Sequence, residues 1–133
     1  MIGLDTNVLV RYITQDDPAQ SRLVSRVLDE RVTQDDPGFV SVATVLELVW
    51  VLQSHYEASR EDIFMSLEEL LTDARFAVQH EGAVWRALDE FELAGSTDFS
   101  DALIAALGLE GGCDATLTFD KKASRIEGME LLR

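Results

Sequence analysis

Positive charge is the scarcest commodity in this chain. Eleven Lys and Arg stand against 25 Asp and Glu, a formal net charge of −14 over 133 residues, which argues against nonspecific nucleic-acid binding by phosphate neutralisation. Two readings of the acidity stay open: a surface kept soluble by charge, or a field that draws metal ions and a basic protein partner. A single cysteine, Cys113, excludes an intramolecular disulfide. It follows Gly111-Gly112, has no thiolate partner suggested by sequence, and is read as a buried structural thiol. Two prolines, Pro18 and Pro37, each follow an Asp-Asp pair and mark turns rather than a linker. No apolar run approaches the roughly 20 residues that span a bilayer. The start, Met1-Ile2-Gly3-Leu4-Asp5, lacks the basic and long apolar segments of a signal peptide, so a cytoplasmic protein without membrane contact is expected. No segment is repeated or low in complexity.

What is present is a chain of single-domain size. Hydrophobic residues make up 47% of it, and at this length folding buries roughly two thirds of the unfolded surface. One domain over residues 1–133 is expected. Ile2 to Leu4 reads as a short buried strand running into Asp5-Thr6-Asn7, where Asp5 or Thr6 caps a helix carrying Val8, Leu9, Tyr12 and Ile13. Helical spacing recurs from Ala19 to Arg31, and Gly38-Phe39-Val40 is a second strand. Ser41 caps a helix from Val42 to Ser54 that is apolar nearly all round. Ser59 and Asp62 form a variant capping box. Phe76 to Val78, Ala115 to Phe119 and Met129 to Leu132 complete the strands, with helices over Glu81 to Leu93 and Asp98 to Leu109. Strands alternating with helices predict an α/β fold with a mostly parallel sheet of four or five strands and helices on both faces.

Four acids stand where strands end or helices turn inward: Asp5, Glu47, Asp101 and Asp120. Ligand crevices in open α/β sheets lie at the carboxyl ends of strands, which suits Asp5 and Asp120. Glu47 sits within an apolar helix, where a carboxylate needs a cation or hydrogen-bond donors to offset desolvation; the alternative is a single solvent-facing stripe. Asp98 and Asp101 share a helix face at i and i+3, and either can serve as a cap or a first-turn acid. Asp5 has the same alternative as an N-cap, and Asp120 as a turn residue. Carboxylates a few ångströms apart repel by about 3 kcal/mol per pair at an effective dielectric near 20, so a cluster of them persists when a cation sits in it. Oxygen ligands select hard ions, and Mg²⁺ or Mn²⁺ leaves positions for water and substrate phosphate. Phosphodiester hydrolysis follows from that chemistry.

Ile2-Gly3-Leu4-Asp5-Thr6-Asn7-Val8-Leu9, Ser41-Val42-Ala43-Thr44-Val45-Leu46-Glu47-Leu48, Asp101-Ala102-Leu103-Ile104-Ala105-Ala106 and Thr118-Phe119-Asp120-Lys121-Lys122, in that order, resemble the PIN-domain family, and in detail its VapC-type toxins. The resemblance implies a three-layer α/β/α PIN-like fold, a Mg²⁺- or Mn²⁺-dependent endoribonuclease acting on a structured RNA such as tRNA or rRNA, a homodimer, and neutralisation by a cognate VapB-type antitoxin. Carried over by position, Asp5, Glu47 and Asp101 match the core metal-site acids and Asp120 the more variable fourth. Thr6 and Asn7 match the polar residues after the first acid, with Asn7 holding Asp5. Thr118 matches a hydroxyl facing the site, or else makes a local strand bond. Asp98 is a candidate supporting acid.

Arg11, Lys121, Lys122 and Arg125 are candidate phosphate contacts, or ordinary surface charges. Trp50, Tyr56 and Trp85 lie at apolar helical spacing and read as core or dimer contacts rather than base-stacking platforms. A reading from a different class, a catalytically silent PIN-fold module that binds partners, is disfavoured by acids at all four positions.

Overall fold

A computed structural model describes residues 1–133. The chain forms two compact units, Met1–Gln79 and His80–Arg133. The first contains β1 (Ile2–Gly3), α1 (Thr6–Thr14), α2 (Pro18–Arg31), β2 (Gly38–Val40), α3 (Val42–His55), α4 (Arg60–Thr72) and β3 (Phe76–Val78). The second contains α5 (Glu81–Leu93), α6 (Phe99–Glu110), β4 (Thr116–Thr118), a 3-10 turn over Ala123–Arg125 and β5 (Met129–Leu131). No helix is long and apolar enough to cross a membrane. Of the four or five strands expected, five form, and every pairing is parallel; they are hydrogen-bonded as a set of three, β1-β2-β3, and a set of two, β4-β5.

In the first unit, β2 is central. Ile2 pairs with Gly38, and Gly38 with Phe76, and the ladder is extended by Leu4 N–H to Phe39 O at 2.9 Å and Gln79 N–H to Val40 O at 2.8 Å. Gly38 lets the strands approach closely, since a Cβ would lie 2.6 Å from Leu4 Cδ1 and would have to displace that side chain. Strands this short are held by what covers them, and Leu9, Val40, Leu48, Ile63 and Leu67 are almost completely buried. Ser59 and Asp62 make both bonds of the capping box, at 3.1 and 3.2 Å. In α2, Val24 and Leu28 turn inward, whereas Leu23 is exposed.

Pro18 corrects the reading of both prolines as turn markers. It is the first residue of α2, with Asp17 as N-cap accepting from Gln20 N–H at 3.0 Å; a proline costs nothing at a position whose N–H would have no helical partner. Pro37 does follow a bend, over residues 34–36, and leads into β2.

In the second unit α5 packs on α6. Phe91 and Phe99 meet edge to face with centroids 5.8 Å apart, and both are buried, so truncating either to Ala should destabilise by about 3–5 kcal/mol. α6 ends at Gly111, with Gly112 at φ 91° carrying the chain away. Cys113 follows in that turn, its N–H donating to Gly108 O at 3.0 Å. Its side chain is exposed, which overturns the expectation of a buried thiol: a residue one position beyond a left-handed turn is outside the helix and beyond the reach of its apolar face.

Candidate active site

Within Met1–Gln79, Asp5 follows the β1 segment and is the N-cap of α1. Its backbone is extended and its Oδ1 accepts from Thr6 N–H at 2.8 Å. The carboxylate is exposed, Thr6 is buried, and Asn7 is exposed. The bond that fixes Asp5 comes from the Thr6 backbone, not from the Asn7 side chain that the resemblance suggested. The local reading of Asp5 as a cap is therefore realised, and it leaves the second carboxylate oxygen free to bind a ligand.

Glu47 requires a correction. The helix was expected to bury it and so demand a partner, yet it is exposed, on a stripe of α3 formed by Ala43, Glu47, Trp50 and Ser54. The opposite side, Val45, Leu48, Val49 and Leu52, is the buried face. Trp50 is 60% exposed and lies edge-on to His55 with centroids 5.5 Å apart, so it is not a core residue. Tyr56 is half-buried and donates its hydroxyl to Asp16 at 2.7 Å; Trp85 is half-buried in α5.

Within His80–Arg133, Asp98, Asp101 and Asp120 lie close enough to feel one another. Asp98 caps α6, its Oδ1 accepting from Ser100 N–H at 2.8 Å, from the Ser100 hydroxyl and, more weakly, from Asp101 N–H at 3.4 Å. Partial burial pushes the Asp98 carboxyl up, but these bonds, helped by Lys122, outweigh it and hold the group below the usual carboxylate range. Asp101, one turn along, has no such donors. Burial pushes its carboxyl up, the Asp98 and Asp120 carboxylates push it further, and only Lys122 opposes them. Asp120 Oδ1 accepts from Lys122 N–H at 2.8 Å and Ala123 N–H at 3.2 Å, which caps the 3-10 turn. Thr118 Oγ1 accepts from Asp120 N–H at 3.0 Å, the local bond that its strand-end position offers.

The donor set suits a hard divalent cation. All the candidate ligands are carboxylates, and Asp101 is an acid whose charged form is disfavoured by neighbours of the same sign, a condition that a cation reverses. Nowhere do three His, Cys, Asp or Glu side chains gather closely enough to hold an ion by themselves. Mg²⁺ binds through one or two carboxylates, with water and substrate phosphate filling its remaining positions, so a closed protein cage is not what that ion needs. A groove of about 580 Å³ between α1, α3 and α4, floored by Ile13, Leu52 and Met65, contains none of the four acids.

The candidate phosphate contacts separate sharply. Arg11 is held inside its own unit, bonding Gln20 at 2.6 Å and both Asp16 and Tyr56 at 3.1 Å. Lys121, Lys122 and Arg125 are more open, both lysines being exposed and Arg125 standing at the end of the 3-10 turn. Sequence reasoning passed over Phe119, taken as a strand residue; it lies just beyond β4 and is 79% exposed beside Asp120. Its alternation with Leu117, 59% exposed, was the available signal.

Comparison with known proteins bears on the family. The family model described as PIN domain matches residues 2–129. A VapC ribonuclease of Aquifex aeolicus (strain VF5) is 24% identical over 123 residues, covering 92% of this chain and 90% of that protein.

Proposed function

Because the chain belongs to the PIN domain family, matched over residues 2–129, we propose that it is a divalent-metal-dependent endoribonuclease, the toxin of a VapBC-type toxin–antitoxin pair. In this reading residues 1–133 act as a single catalytic domain, in a cytoplasmic homodimer that a VapB-type antitoxin silences. Asp5, Glu47, Asp101 and Asp120 are the acids that serve Mg²⁺ or Mn²⁺, one or two of them binding the ion directly and the others through its water. The observation that carries it is Asp101: a half-buried carboxylate with no hydrogen-bond donor, facing two other acids, gains most from a bound cation. The similarity to a ribonuclease over 92% of the chain supports the choice of substrate.

The residues divide the work. Asp98 holds the first turn of α6 and so fixes where Asp101 presents its oxygens. Asp120, bonded to two backbone N–H groups, keeps one oxygen free while its geometry is locked. A bound ion supplies Lewis acidity toward phosphate and water. The cations of the turn, Lys121, Lys122 and Arg125, attract the RNA backbone locally in a chain whose net charge repels it. The same acids suit an antitoxin segment bearing Arg or Lys, whose cation replaces the metal's charge among them.

The test is incubation of the purified chain, free of antitoxin, with total RNA and Mg²⁺ or Mn²⁺, alongside EDTA and Asp101→Asn controls. Discrete fragments that both controls abolish are expected. RNA left intact by the wild-type chain under every condition counts against the nuclease and favours a binding-only domain.

A further inference from the structure

The chain has only two lysines, and they are adjacent, at 121 and 122. In a molecule of net charge −14, that placement is informative because of what stands beside it. Phe119 is 79% exposed, two residues before the lysines, and Arg125 stands one turn further on. A lone exposed apolar side chain is ordinary. An exposed aromatic ring flanked by the densest positive charge of an acidic chain is a different matter, since base stacking plus backbone attraction is how proteins hold unpaired nucleic acid.

The segment is also rigid. Asp120 accepts from Lys122 and Ala123 N–H groups, and its own N–H is held by Thr118 Oγ1. Ser124 closes the turn from both sides, N–H to Asp120 O at 3.0 Å and hydroxyl to Lys121 O at 2.6 Å. Ala123 and Ile126 anchor it in the core. A platform ordered in advance loses little entropy when a ligand docks.

We infer that Phe119 is a stacking platform for an unpaired nucleobase of the RNA substrate, with Lys121, Lys122 and Arg125 gripping the phosphates that flank that base. The inference rests on the ribonuclease reading and sharpens it. The substrate region at the site is single-stranded or looped, because a duplex buries the faces of its bases. A protein partner is the weaker occupant: the exposed apolar side chains here are Phe119, Leu117 and Leu132 alone, with Glu130 paired to Leu117 and the lysines following, short of what stable interfaces bury. Phe119 is a positioning residue, and it selects unpaired substrate.

Two arms test this. In the Asp101→Asn background, which leaves RNA uncut, binding of a fluorescein-labelled single-stranded oligoribonucleotide and of the same strand annealed into a blunt-ended duplex is measured with and without Phe119→Ala or Phe119→Trp. In the otherwise wild-type chain, steady-state cleavage of the same single strand is measured. Phe119→Ala should weaken single-strand binding and raise KM by about 10- to 100-fold, leave duplex binding as it was, and be rescued by Phe119→Trp, with an unchanged melting curve. Equal binding by Phe119→Ala and its parent, or an equal loss on the duplex, overturns the platform. So does a change in oligomeric state by sedimentation, which makes the ring a protein–protein anchor. Cleavage that ignores Phe119 sinks the platform and leaves the nuclease standing. Phe119-dependent binding without any cleavage by the wild-type chain does the reverse.

Discussion

The two units use charge in opposite ways. In Met1–Gln79 the arginines with the most partners are satisfied from within: Arg75 chelates Asp73 at 2.9 to 3.2 Å and reaches the Tyr12 hydroxyl at 3.2 Å, and Arg11 is shared among Asp16, Gln20 and Tyr56. In His80–Arg133 the acids at the start of α6 and after β4 face one another, and the lysines of the following turn are exposed to solvent. Exposed pairs do exist there, Arg86 with Glu127 and His80 with Glu110, but they involve none of those acids. Charge already paired inside a fold holds helices together; charge left unbalanced on a rigid frame is available to a ligand. The difference separates Arg11 from Lys121 and Lys122, which the sequence had placed in one class.

The largest expected effect sharpens that contrast. Asp101→Asn should lower RNA cleavage by more than about 100-fold, the upper range for residues that merely support a metal's ligands, and leave the metal-free melting temperature unchanged or higher, because a repelled carboxylate is gone. Glu47→Gln and Asp5→Asn should behave alike in cleavage, and Asp120→Asn should lose activity in part. Unfolding of Asp101→Asn, seen by circular dichroism, makes the acid structural and erases the distinction between the units.

Next in size is the pair of lysines. Lys121→Ala with Lys122→Ala should weaken single-strand RNA binding roughly tenfold and flatten its salt dependence by about 0.7 log units for each phosphate no longer neutralised. Both side chains are exposed, so stability should change little. Arg11→Ala is the control from the other unit, with the opposite expectation: a lower melting temperature and an unaltered salt slope. If both variants shift the salt slope equally, the division of charge described above is wrong.

Smaller still are effects on helix starts. Asp98→Ala should destabilise by about 1 kcal/mol, the usual worth of an N-cap, and Asp98→Asn by little, because an amide oxygen still accepts the bonds of the first turn. Arg75→Ala should cost about 1 kcal/mol, modest because the pair with Asp73 is partly hydrated. Urea titration measures both.

The sequence was legible wherever local rules decide. Ser41, Ser59 with Asp62, and Gly111 announced helix ends because caps are short-range chemistry, and Gly38-Phe39-Val40 announced a buried strand by its bounds. Glu47 was misjudged for a physical reason: Val42 to Ser54 is apolar at so many positions that the narrow exposed stripe of Ala43, Glu47, Trp50 and Ser54 does not stand out. Residue type was counted where direction decides. Cys113 was misplaced by the same logic, since its type favours burial while its position after Gly112 does not. Thr118 showed both of its readings in advance, and the local bond from Asp120 N–H is one of them. The partners of Arg11 come from positions up to 45 residues away, beyond any local pattern. Asp5, Asp98, Asp101 and Asp120 stand at the strand ends and helix starts where the sequence placed them, because acids at such positions stand out in one dimension.

The subtlest prediction contrasts the two units by pH. Asp73 is held below the usual carboxylate range by the Arg75 guanidinium, so its contribution is present above the unfolded value of about 3.9 and disappears as pH falls through the lower folded value. Asp101 runs the other way. Its carboxyl is raised in the folded state, so the native chain binds more protons than the unfolded one between the two values, and stability declines as pH rises through that window. Above the folded value the penalty is constant, and a divalent cation should remove it. Melting curves from acid to neutral pH, without metal, should therefore show Asp101→Asn gaining on the wild-type chain as pH rises and levelling off near neutrality. Asp73→Asn should lose ground over the acid range, where wild-type Asp73 becomes ionised. Added Mg²⁺ should narrow the first gap and leave the second unchanged, since only the acids that repel one another have anything to gain from a cation.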